Sequence, residues 1–269
     1  RSGPTPPADG RLERRKFLVR ANGQRFLAKF AGLGKDAERK LAKARKLAAA
    51  GFTPLPVGIC HGFLVEEWCD GVPFDSLVHD RPELIGRLAD YIAFRTLHLP
   101  ADAPGASPSA LARMAVANTC ERLGETHAAR IETALADIGH LPVHPVDTDN
   151  RIHRWEWLVA PDGRLLKTDA LDHSSAHDLI GPQDPAWDIT GAVFEHQLSP
   201  DERASLVYRI EQLTGRPLNQ RLLRVMEPCY LAFQLGLWTF ASASGDDLNR
   251  AQVERYARLL NDVIGNLTT

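Results

Sequence analysis

Apolar and polar positions change their period along this chain, and the changes divide it into parts. Over residues 25–30 they alternate: Phe26, Ala28 and Phe30 share one face, Leu27 and Lys29 the other, which is the period of a β-strand. Phe17-Leu18-Val19 precedes it across Asn22-Gly23, so a hairpin is predicted, Asn-Gly being suited to a left-handed tight turn. Residues 35–50, KDAERKLAKARKLAAA, are nearly all helix formers and stop at Gly51. This helix carries Leu41, Ala44, Leu47 and Ala48 as a narrow apolar stripe with Glu38 beside it. Its basic opposite face is expected to be solvated. Residues 52–57, with two prolines, read as extended, and residues 63–68 as a strand leading into the turn at 70–73.

Beyond Pro73 the period lengthens to that of helices. Leu84, Ile85, Leu88, Ile92 and Leu97 follow Pro82, which suits a first helical turn. A Pro/Ala/Gly loop spans 101–108, and one or two helices follow over 109–138. Further helices are expected at 189–197, at 202–214 behind the Ser199-Pro200-Asp201-Glu202 cap signal, at 219–242 and at 247–267. Within this run lies residues 147–188, where two short apolar stretches, 155–159 and 164–168, flank the turn signal Pro161-Asp162-Gly163. They predict a second hairpin.

The fold class that follows is α+β and two-lobed. A flexible segment over 1–13 leads to a sheet-and-helix lobe over 14–72, then a mainly helical lobe over 73–269 that carries the hairpin of 147–188. The chain of 269 residues, 44% hydrophobic and 25% charged, has the composition of an ordinary globular protein. A net charge of −2 gives no reason to expect nucleic acid or an anionic membrane as partner, and no apolar run reaches the length of a membrane span. Cys60, Cys69, Cys120 and Cys229 form no CxxC pair, so zinc knuckles and a disulfide framework are not indicated and a cytoplasmic setting is expected. Oligomeric state is not legible.

The second hairpin concentrates the candidate chemistry. Glu156 stands at the head of its first strand and Asp169 at the end of its second, and two carboxylates so placed repel unless a cation lies between them or one takes a proton. They are candidate metal ligands. Asp147, Asp149 and His153 precede them as candidate proton acceptors. Asp172-His173-Ser174-Ser175-Ala176-His177-Asp178 follows, either a self-bonded loop or a transition-metal site. Trp155 and Trp157 are expected to pack in the core or between lobes, and Asp188 to cap a helix and brace a loop.

Taken together, a strand lysine (Lys29), a helix glutamate (Glu38), a strand ending Phe63…Glu66-Glu67-Trp68 before an interlobe turn, and a helical lobe with a polar hairpin resemble the protein-kinase-like fold. The aminoglycoside/choline-type phosphotransferase branch is the nearest variant. In that family a loop of the form HGDxxxxN leads into a strand that turns back to an acidic metal ligand. Here Leu166-Lys167-Thr168-Asp169-Ala170 resembles the returning strand, Glu156 stands at the family's asparagine, and Gln183-Asp184-Pro185-Ala186-Trp187-Asp188 resembles its GDPxxD segment. The resemblance covers roughly residues 14–200. It implies ATP and Mg as cofactors, Lys29 on the phosphates oriented by Glu38, Phe63, Glu66, Glu67 and Trp68 bordering the nucleotide, Glu156 and Asp169 on the metal, and a small-molecule acceptor.

Two parts of the family pattern are missing. No HGD triplet is present, and by spacing the usual base falls on Arg151, which accepts no proton; Asp147, Asp149 or His153 would have to serve. The first hairpin also has a single glycine, Gly23, in place of a glycine-rich loop. Three functions are therefore open: an ATP- and Mg-dependent phosphotransferase, a catalytically silent kinase-like binding module, and a metal-dependent hydrolase built on Glu156, Asp169, His173 and His177.

Overall fold

The computed structural model describes residues 6–8, 16–74, 80–173, 180–243 and 245–267. Strands β1 (Lys16–Ala21), β2 (Gln24–Phe30), β3 (Pro56–Cys60) and β4 (Phe63–Glu67) form an antiparallel sheet in the order β1-β2-β4-β3, with α1 (Lys35–Ala49) inserted between β2 and β3. The first hairpin turns at Asn22 and Gly23, whose φ angles of 51° and 76° are the left-handed pair that Asn-Gly favours. Val72–Pro73 (β5) then crosses to a second sheet and pairs with β6 (Trp157–Val159), which pairs with β7 (Leu165–Lys167). A side chain on Gly71 would lie 2.7 Å from the Val159 carbonyl oxygen, so the crossing admits only glycine without movement.

Eight helices are described, the remaining seven being α2 (Arg81–His98), α3 (Pro108–Leu123), α4 (Glu125–Ala134), α5 (Ala186–Glu195), α6 (Pro200–Thr214), α7 (Gln220–Ser242) and α8 (Asp247–Asn266). The Asp80 side chain caps α2 by accepting from the Glu83 amide, and Ser199 and Glu202 close a capping box on α6. The stretch 109–138 divides at Gly124 (φ 88°) into α3 and α4. One hydrophobic core runs through both lobes, from Leu47 of α1 and Leu64 of β4 through Leu88, Tyr91 and Trp157 to Trp187, Leu231 and Leu260. The sheet lobe is too thin to bury such side chains alone. Each fully buried leucine contributes on the order of 2 kcal/mol, and the helical lobe supplies the other wall.

The second hairpin is shorter than its apolar pattern suggests. Residues 154–156 form a 3₁₀ turn, and the strand begins only at Trp157. Trp157 is buried edge-on against Tyr91, whereas Trp155 stacks on the His153 ring at 4.4 Å. Both tryptophans therefore pack within the protein. No helix among the described residues is long and apolar enough to cross a membrane.

Candidate active site

The loop at 147–150 is held from both sides. Asp188, in the first turn of α5, accepts from the Asp149 amide at 2.7 Å and from the Asn150 amide at 2.9 Å. Asn150 reaches this arrangement at φ 65°, a region asparagine enters more readily than most residues. Asp184 similarly accepts from the His144 and Ala186 amides, each at 2.9 Å. From the other side comes Arg95 of α2, fully buried. Its guanidinium donates to the Asp147 carbonyl (2.8 Å), the Thr148 and Ala170 carbonyls (both 3.1 Å), the Tyr91 hydroxyl (2.7 Å) and the Asp147 carboxylate (3.3 Å). Burial raises the Asp188 pKa to about 6, and the neighbouring Asp149 charge pushes the same way.

The three candidate proton acceptors differ sharply in their surroundings. Asp149 is fully buried, with Lys167 Nζ at 3.5 Å, Arg95 Nη1 at 3.6 Å, His173 Nδ1 at 3.3 Å, and the Tyr91 hydroxyl donating to it. Burial opposes its charge, but Lys167, His173 and Arg95 outweigh that and hold its pKa well below the ordinary carboxylate value. Asp147 bridges Lys43 (2.5 Å) and Arg95 (3.3 Å). His153 does not join them: it is buried with Nδ1 3.1 Å from Glu195, inside the helical lobe, because the 3₁₀ turn carries its side chain away from the loop.

Beside Glu156 stands a lysine, between it and the Asp149 carboxylate. Lys167 Nζ lies 2.6 Å from Glu156 Oε2, 2.6 Å from the Asp169 carbonyl oxygen and 3.5 Å from Asp149, with no exposure to solvent. Glu156 is fixed by its backbone, its carbonyl accepting from the Thr168 amide at 2.8 Å and hydroxyl at 3.0 Å. Asp169 turns elsewhere, toward Lys16 at 3.2 Å and His173 Nε2 at 4.0 Å, and a quarter of its side chain remains exposed. Burial opposes the Asp169 charge, yet His173, Lys29, Lys16 and Lys167 hold its pKa far below the usual range. Among the described residues, Asp149, Glu156 and His173 form a group of three with donor atoms all within 4.8 Å of one another, and Asp169 is not a member of it. His177 lies outside the described residues.

Lys29 is buried on β2, and its partner is Glu66 of β4 at 3.3 Å, both side chains about 5% exposed. Glu38 is exposed on α1 and does not orient it. The reason is register: Lys29 lies opposite Leu64 and Glu66 opposite Leu27, so the two charges sit on one sheet face a diagonal apart. Burial works against the Lys29 ammonium, but Glu66, Asp169 and Asp172 together keep its pKa above the ordinary lysine value. Lys16 stands directly opposite Lys29 across the hairpin. Phe63 packs edge-on against Phe17 and Phe30, Glu67 is exposed, and Trp68 donates from its ring to Asp70 at 3.1 Å.

The basic face of α1 is not simply solvated. Lys40 pairs with Asp172 at 2.7 Å, and Lys43 donates to the Leu171 carbonyl at 2.9 Å besides holding Asp147. A cavity of about 1150 Å³ opens beside this face, lined also by Phe17, Phe30, Phe63 and the 102–106 loop. Of the candidate site residues it touches Phe63 and Asp147, and neither Lys29 nor Asp169 lines it. Of Glu195, His196, Glu227, Tyr230, Gln234 and Trp238, the generic polar and aromatic candidates for an acceptor pocket, all but the half-buried Glu227, which pairs with Arg203, are interior; Glu195 accepts from the Tyr230 and Tyr256 hydroxyls and pairs with Arg255. Arg95, Lys167 and the pairing role of Glu66 escaped the sequence reading. Arg95 had a signal, since it falls four residues after Tyr91 and seven after Leu88 on the apolar stripe of α2.

By sequence, no protein-family model matches the chain, and no curated protein matches it either. Solved structures do resemble it. Choline kinase LicA from Streptococcus pneumoniae superposes with a TM-score of 0.67 at 15% identity, over 93% of this chain and 90% of that one. Macrolide 2′-phosphotransferase MphH from Brachybacterium faecium gives 0.57 at 18% identity, over 94% and 91%. Spectinomycin phosphotransferase APH(9)-Ia, solved with ADP and spectinomycin, gives 0.56 at 11% identity, over 98% and 91%. At such identities the likeness is one of fold, and the fold is the two-lobed, protein-kinase-like one of the choline-kinase and antibiotic-phosphotransferase branch.

Proposed function

We propose that this chain is a nucleotide-dependent phosphotransferase acting on a small-molecule acceptor. The observation that carries the reading is the convergence of two sheet-lobe lysines on one helical-lobe carboxylate. Lys16 reaches Asp169 at 3.2 Å, and Lys29, held by Glu66, adds its charge to the same group. Phosphoryl transfer requires fixed cations around a charge-dense phosphate chain and little covalent participation by the protein. Lys29 and Lys16 would supply that charge. The fit to Mg differs between the two proposed ligands. Asp169 is ionised and partly exposed, and the Lys16 ammonium on it is itself exposed and able to withdraw, so its oxygens are open to a hard cation and it would hold the ion that neutralises the phosphates. Glu156 already has an ammonium on its carboxylate and does not fit.

Asp149 and Asp147 support a second reading, a module that binds nucleotide without transferring phosphate, because both carboxylates are committed to ion pairs and Asp149 is a weakened base. Titration of a non-hydrolysable ATP analogue with and without Mg tests the common part. Binding should depend on the metal and fall at least about tenfold in Lys29→Met and Asp169→Asn, which is ~1.4 kcal/mol; equal binding by these variants refutes it. Single-turnover phosphate release with a panel of amino alcohols and aminoglycosides separates the two readings.

A further inference from the structure

Lys167 has no part in the resemblance's roles or in the phosphotransferase reading, and its ammonium sits against Glu156, a proposed metal ligand. Its ammonium group is fully buried and has three oxygens around it: Glu156 Oε2 and the Asp169 carbonyl at 2.6 Å, and Asp149 Oδ1 at 3.5 Å. Asp149, Glu156 and His173 present donor atoms within 4.8 Å of one another, a set of two carboxylates and an imidazole that suits a divalent ion. A divalent cation and an ammonium cannot both occupy so small a space, since their repulsion in a buried setting far exceeds that in water. Nor can the ammonium easily withdraw. Lys167 ends β7, its amide bonded to the Phe52 carbonyl at 2.8 Å and its stem packed without exposure.

We infer that Lys167 is a built-in cation, the ammonium permanently filling the Glu156–Asp149 position, so that this protein works with at most one divalent ion, at Asp169, instead of two. The covalently supplied charge keeps Glu156 and Asp149 from repelling one another at any metal concentration. The ion at Asp169 rests on the phosphotransferase reading; the occupation of the Glu156–Asp149 position by Lys167 does not.

Manganese bound per chain, counted by electron paramagnetic resonance with and without a saturating non-hydrolysable ATP analogue, tests this on the full chain. The wild type should hold no ion alone and one with the analogue. Lys167→Met, which removes the charge and keeps the stem, should gain one ion in either condition, and the double variant Lys167→Met/Glu156→Gln should lose that gain. Two ions in the wild type, or a folded Lys167→Met with no extra ion, overturns the inference. A wild type that binds neither analogue nor manganese, while Lys167→Met gains its ion, sinks the phosphotransferase reading and upholds the inference. Should Lys167→Met fail to fold, the wild-type count decides: two overturns, one or none supports.

Discussion

Arg95 offers the sharpest test of how the loop at 147–150 is built. Replacing it with methionine keeps an unbranched stem of similar volume and removes the guanidinium. Three backbone carbonyls, of Asp147, Thr148 and Ala170, then lose their donor, and the Asp147 and Asp149 carboxylates lose a buried positive neighbour. Breaking a buried ion pair from one side costs roughly 3–5 kcal/mol, and each orphaned carbonyl roughly 1–3 kcal/mol. These terms overlap, because Lys43 and Lys167 remain beside the carboxylates and the loop can relax toward water. We expect a net loss of about 5 kcal/mol, a large part of the 5–15 kcal/mol that typically separates folded from unfolded. Arg95→Lys keeps the charge but has three donors for five acceptor contacts, so about 2 kcal/mol should be lost. Urea unfolding followed by tryptophan fluorescence measures both. Arg209→Met, which removes an exposed pair with Asp90, is the control and should change stability by less than about 1 kcal/mol. If Arg95→Met costs no more than the control, Arg95 does not organise the loop; if Arg95→Met is too unstable to purify, Arg95→Lys bears the test.

Further outcomes follow from the same geometry. Glu66→Gln should weaken metal-dependent nucleotide binding at least about tenfold by leaving Lys29 without its partner, while Glu38→Gln should leave it unchanged; the reverse order would show that α1 orients the lysine after all. His196 is buried with Nε2 3.0 Å from the Ile152 carbonyl oxygen, and burial lowers its pKa to about 4. A histidine held neutral contributes stability above its unfolded value near 6.5 that is lost as pH falls toward 4, here at most roughly 3 kcal/mol. Asp188, raised to about 6, acts in the opposite sense over an overlapping window, so the comparison is between the wild type and His196→Gln at pH 7.5 and 4.5. The wild type should lose ground on acidification, and a pH-independent difference would count against the neutral buried ring. Glu202, whose pKa the paired Arg81 side chain holds down to about 2, ties the start of α6 to α2 through two contacts of 2.7 Å. Its contribution, up to about 1 kcal/mol after screening by water, is present above the ordinary glutamate range and lost as pH falls toward 2; thermal unfolding of Glu202→Ala at pH 7 and pH 3 should show a gap at the higher pH that narrows at the lower.

What could be read from the residues alone was local. The alternation in β2, the Asn-Gly turn, the helix formers of α1 and the Ser199–Glu202 capping box each depend on neighbours a few positions apart, and each forms as the pattern requires. Asp188 as a loop brace was legible for a related reason, since a carboxylate in the first turn of a helix has a restricted set of amides within reach. The ionic partnerships were not legible. Lys29 with Glu66, Lys16 with Asp169, Lys43 with Asp147 and Arg95 with Asp149 join residues far apart in sequence, and many acidic residues could have answered each lysine. Strand register placed Glu66 on the Lys29 face, and the packing of α1 over the loop turned its lysines from solvent toward carboxylates. The late start of β6 behind a 3₁₀ turn left His153 in the helical lobe, and burial of β7 drove the Lys167 ammonium between Glu156 and Asp149. Sequence thus set which charges the molecule possesses; only the tertiary fold, by fixing which of them share a few ångströms of low-dielectric space, decided which of them neutralise one another.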